Sequence, residues 1–70
     1  MKDNKKIILQ RWEDQSITFQ EYGNKIIMII QEVYESPVES IITRKKAMMK
    51  ISNLLLEDYK IIQGNINNWI

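Results

Sequence analysis

The chain has 70 residues, with ten Lys or Arg against nine Asp or Glu, and contains neither Cys nor His. That length holds one small domain, and the missing residue types exclude disulfides, Cys/His zinc sites, imidazole bases and thiolate nucleophiles. A net charge of +1 is too weak an overall field to argue by itself for nucleic acid or an acidic membrane.

At the start of the chain, Lys2, Lys5 and Lys6 precede only Ile7, Ile8 and Leu9 before Gln10 and Arg11 interrupt. A secretory signal needs a longer apolar region. The longest apolar run, Ile26 to Ile30, is far below the roughly 20 residues that span a bilayer. No membrane partner is expected, and the lack of Cys favours a reducing, cytoplasmic setting. Fourteen Ile and six Asn are residues of AT-rich codons and point to a low-GC bacterium, its phage or another mobile element.

A first helix is expected over about residues 4–14, with Ile8, Leu9 and Trp12 on one side. Thr18, Phe19, Gln20 and Glu21 have the spacing of a capping box, flanked by Ile17 and Tyr22 at hydrophobic-staple positions. They predict a second helix over 19–35, with Tyr22, Ile26, Ile29, Ile30 and Val33 on one stripe. A strand over Ile26 to Tyr34 is the competing reading, because Ile and Val favour strands. Period-2 alternation is missing from that stretch, which argues against it. Ser36, Pro37, Val38 and Glu39 form a second box, with Pro at the first helical position. A third helix over 37–63 follows, with Gly64 as its left-handed C-terminal residue and 65–70 as a tail. The expected fold is therefore all-α: a three-helix, hairpin-type mini-domain with a long C-terminal helix, assembled as a homodimeric helical bundle.

Some residues are left over once that core is assigned. Ala47, Ile51, Leu54 and Ile61 fall away from the main stripe of the third helix and are read as a self-association or partner seam, since small cores are commonly supplemented by oligomerisation. Met28 falls among Glu21, Glu32 and Glu35 on the polar side of the second helix, and these four are read as an acidic partner face. Trp69 and Ile70 are a candidate tail anchor.

Charge is segregated along the chain. Residues 1–11 hold four positive charges and one negative, residues 12–40 one and six, and residues 41–70 five and two. Mutual neutralisation of neighbouring elements is the plain explanation. The sharper one makes Arg44, Lys45, Lys46 and Lys50 phosphate contacts.

No triad, metal set, glycine-rich phosphate loop or H-E-x-x-H motif occurs, so neither an enzyme nor a cofactor is expected. The leading expectation is a non-enzymatic small helical protein acting by protein binding, as an inhibitor, adaptor or assembly scaffold, and itself a homodimer. The alternative is a small dimeric DNA-binding transcriptional regulator that uses the basic start of the third helix. Only two Arg, and no Gly in the 35–37 connection, weigh against that alternative.

Overall fold

The computed structural model describes residues 5–69 and replaces the expected helical bundle with a five-stranded antiparallel sheet carrying one α-helix. In chain order the elements are β1 (Lys6–Arg11), β2 (Gln15–Tyr22), β3 (Lys25–Glu32), β4 (Val38–Thr43), α1 (Arg44–Leu56) and β5 (Lys60–Gln63), followed by a 3-10 turn at Ile66–Trp69. The strands lie in the order β4-β3-β2-β1-β5. β1 to β4 form a meander, and α1 carries the chain from the β4 edge across one face to the far edge, where β5 pairs with β1.

Each expected helix is corrected in turn. Of the expected helix over 4–14, the described residues form β1 and its turn, and most of 19–35 belongs to the β2–β3 hairpin. Residues 37–63 become β4, α1 and β5, so only the middle of that span is helical. Thr18, taken as a cap, sits mid-strand between Ile8 and Ile29. Pro37 directly precedes an edge strand, a place where its missing N–H costs the sheet nothing.

The core is an alternation problem solved across three strands. Ile7 and Leu9 of β1, Ile17 and Phe19 of β2, and Ile26 and Met28 of β3 are all buried. The register sets Phe19 between Ile7 and Met28, so these side chains share one face. Ala47 and Ile51, one turn apart on α1, are fully buried against that face, and Tyr59 joins them. Ile30, Ile42, Met48, Leu54, Ile61 and Ile66 close the margin. The Cα radius of gyration, 11.6 Å, is close to the roughly 11 Å of a folded chain this long.

Turn chemistry fixes the register. Gly23 has φ +62 and Asn24 does not enter the left-handed region, the pattern of a two-residue II′ hairpin turn whose twist suits the strands it joins. The α1 N-cap is Thr43, whose hydroxyl accepts from the Lys46 amide at 3.2 Å. The helix ends where Asp58 takes φ 72 and the amides of Glu57 and Tyr59 donate to the Leu54 carbonyl. Gly64, expected at that helix end, instead closes β5 at φ +93. A Cβ there would lie 2.1 Å from the Lys6 carbonyl oxygen, so no larger residue fits.

Candidate functional site

Alternation gives the sheet a second face, and α1 covers only the first. Opposite the core lie Ile8 of β1, Thr18 of β2, Ile27 and Ile29 of β3, Ile41 of β4 and Ile62 of β5, standing among Lys6, Gln10, Ser16, Gln20, Lys25, Gln31 and Glu39 of the same face. In the register Ile8, Thr18 and Ile29 run side by side, and Ile27 pairs with Ile41. Ile8, Thr18, Ile27 and Ile29 are half-buried, while Ile41 is 69% and Ile62 58% exposed. The solvent side of an antiparallel sheet is ordinarily polar, and here five isoleucines interrupt such a set of polar residues.

The two ends of the molecule differ in charge. At one end the start of β1, the β2–β3 turn and the β4–α1 junction come together, since Tyr22 pairs with Lys25, Lys25 with Thr43, and the Glu21 amide donates to the Lys5 carbonyl. This end holds Lys5, Lys6, Lys25, Arg44, Lys45 and Lys46, with Lys50 one turn further along α1. Glu21 is the one acidic residue there among the described residues, and its carboxylate accepts from Arg44 at 2.5 Å. At the opposite end lie the β1–β2 turn with Glu13 and Asp14, Glu32 at the end of β3, Glu35 in the connection to β4, and Glu57 and Asp58 after α1, together with the cations Arg11 and Lys60. That end includes a shallow groove of about 460 Å³ lined by Ile8, Thr18, Val33, Ile62, Glu13 and Glu32 among others.

The acidic end is pinned by Arg11. Its guanidinium stacks on the Trp12 and Tyr59 rings at 4.8 and 4.6 Å, while Nε donates to Gln15 Oε1 at 2.9 Å and an Nη to the Glu57 carbonyl at 3.2 Å. Trp12 itself is 72% exposed and held at φ 60, a conformation that costs an aromatic residue about 1 kcal/mol or more.

The helix is charged against its own dipole. The first turn of α1 contains no acidic residue and its last turn no basic one; Arg44, Lys45 and Lys46 sit instead at the positive end and Glu57 and Asp58 at the negative end. Each such placement costs a few tenths of a kcal/mol, and together they add the peptide dipole to the side-chain dipole.

The sequence-expected site residues are distributed differently from the expectation. Ala47 and Ile51 have no exposed surface, and Leu54 and Ile61 are half-buried beside them, so this stripe packs on the chain's own sheet. Of the acidic set, Met28 lies in the core, Glu21 is at the basic end, and Glu32 and Glu35 are at the other end; the four do not form one surface. Arg44, Lys45, Lys46 and Lys50 do stand together on α1, beside the exposed Met49. Trp69 closes the 3-10 turn, whereas its side chain and Ile70 lie outside the described residues. The open-face isoleucines were missed, although the missing alternation in 25–32 was their signal. No group that could hold a metal ion occurs among the described residues, nor is any helix among them long and apolar enough to cross a membrane. Compared with protein-family models, with curated proteins and with solved structures, the chain finds no match.

Proposed function

We propose that this chain is a non-enzymatic binding protein, of cytoplasmic setting, that works by protein–protein contact through the open face of its sheet. The observation that carries this reading is the row of isoleucines, Ile8, Ile27, Ile29, Ile41 and Ile62, on the face that α1 leaves uncovered. Apolar side chains collected on one face and framed by charge are the composition of an interface centre and its rim. Ile29 lies near the middle, between Thr18 and Glu39. Ile29→Lys is expected to leave the circular dichroism of the sheet in place and to reduce binding of an apolar fluorescent dye several-fold. An unchanged dye signal would show that the face is not a sticky surface.

A second reading, contact with nucleic-acid phosphates, is favoured by one observation: the cations gathered at the start of α1 against the helix dipole. A helix start is ordinarily stabilised by acidic residues, and a concentration of cations there is what phosphate neutralisation requires. Lys46→Glu combined with Lys50→Glu would then abolish salt-sensitive retention on duplex DNA, and retention that persists would dismiss this reading.

A further inference from the structure

We infer that the free edge of β4 pairs with the same edge of a second copy of this chain, antiparallel, so that two sheets join into one. The inference goes beyond the open-face reading and stands without it, because unpaired backbone rather than a side-chain patch carries it.

The hydrogen-bond phase of the sheet shows what that edge offers. In a two-residue hairpin the flanking pair, here Tyr22 and Lys25, exchange their backbone bonds, and bonded and non-bonded pairs alternate from there. The Glu21 amide, turned away from β3, donates to the Lys5 carbonyl, as that phase requires. On β3, Lys25, Ile27 and Ile29 therefore bond to β2, while Ile26, Met28 and Ile30 bond to β4. Their β4 partners are Ile42, Ser40 and Val38, so the amides of Glu39, Ile41 and Thr43 point out of the sheet. Among the described residues no strand or loop pairs with them. Edge strands are ordinarily defended by shortness, lysines or bulges. β5 has all of these: four residues, Lys60, and a register shift against β1. β4 keeps an unbroken register with β3 and carries no Lys, and its Ile41 and Val38 stand 69% and 56% exposed on its two faces.

The occupant follows from the symmetry that such an edge permits. A two-fold axis normal to the sheet keeps the helices of both copies on one side and pairs residues of the same face, which leaves few registers. Centred on Ile41, it sets Ile41 opposite Ile41 and Glu39 opposite Thr43. The Ile41 backbones then exchange a pair of hydrogen bonds, and each Thr43 amide donates to the Glu39 carbonyl of the other copy. On the open face, Ile27 and Ile41 continue into Ile41 and Ile27 of the second copy. Glu39 lies beside the other copy's Thr43, with Lys25 on the next strand. The chain leading into β4, with Glu35, comes to the side where the other copy's α1 starts with Arg44, Lys45 and Lys46. Opposite charges thus meet at both ends of the seam. Centring on Ser40 would press Glu39 against Ile41 and bring Pro37, which has no N–H, opposite Thr43. Centring on Ile42 would run the pairing into α1. The Ile41 register uses up both β4 edges and leaves only the defended β5 edges, so assembly closes at two copies.

The test is the solution mass of the full chain by sedimentation across concentration, with every variant checked by circular dichroism. The unaltered chain is expected at two copies. Ile41→Lys puts like charges face to face at the axis and should raise the dimer dissociation constant at least about tenfold. Ile41→Cys reads the register even where the lysine variant fails to fold, since the chain has no other Cys. Directly opposed residues of a bonded pair lie about 5.5 Å apart at Cα, within disulfide reach. Mild oxidation of Ile41→Cys should therefore give a covalent pair that keeps the circular dichroism of the sheet. Glu39→Cys sets the two thiols more than about 10 Å apart along the strands and should stay unlinked. A mass of one copy at every concentration would overturn the dimer and leave the edge to a strand of another protein. An open-ended assembly, or Glu39→Cys linking as readily as Ile41→Cys, would overturn it as well.

Discussion

At the level of single residues, the backbone geometry separates two glycines that look equivalent in the sequence. Both have positive φ, but a Cβ on Gly23 would meet nothing within 4 Å, while one on Gly64 would meet the Lys6 carbonyl and Ile7. Gly23→Ala should therefore cost only the left-handed conformation, about 1 kcal/mol. Gly64→Ala adds a backbone collision where β5 joins β1 and should cost at least about 2 kcal/mol. Thermal unfolding of the two variants side by side measures this, and equal melting temperatures would contradict the tight closure at β5. Arg11 is the counterpart at the other end, where one guanidinium stacks on two rings and reaches the helix C-terminus. A Lys there would keep the charge and lose the planar stack.

At the level of elements, α1 has a cap without a capping box. Thr43 accepts from Lys46, but the residue that could answer it is itself a lysine. Lys46→Glu would complete the box and place an anion at the positive end of the dipole, raising stability by about 0.5–1 kcal/mol even as it removes one of the cations proposed to meet phosphate. A denaturant midpoint that does not rise would show that the cations of the first turn carry no such cost. Motif spacing misled in the opposite direction at Thr18 to Glu21 and Ser36 to Glu39, where box-like sequences lie in or beside strands. A box supplies roughly 1 kcal/mol, less than the burial of Phe19, Ile17 and Ile26, for which a strand is the better frame. Residues 25–32 hid their strand for a more informative reason. Ile26, Met28 and Ile30 face the core, and Ile27 and Ile29 face away, so both faces are apolar and no period shows. The helix at 44–56 and the grouping of Arg44 to Lys50 were legible because they are local. The open face was not, because it exists only once five strands are in register.

For the whole molecule, the near-zero net charge conceals a strong separation of charge along the body. Three distant segments bring cations to one end, and the turns at the other end collect anions, so the topology and not the composition creates the field. Association between such bodies depends on orientation and weakens with salt. Under the phosphate reading, retention on DNA should therefore fall steeply between low and physiological ionic strength, whereas a protein partner held by the open-face isoleucines should lose far less, because burial of that kind is not screened. DNA retention measured along a salt series tests this, and retention that does not fall would remove the α1 cations from the contact.

The position of β3 in the sheet has a consequence for the chain before it folds. Ile26 to Ile30 is an uninterrupted, strand-forming, uncharged run, the composition that pairs with copies of itself when free. In the folded sheet it is fenced on both edges, by β2 and by β4. The fence on one side is the six-residue β4, and opening that single strand would uncover the segment along its length. The native state thus acts as the chain's own protection against amyloid-like assembly, and the lifetime of the β3–β4 pairing sets how long that protection lasts.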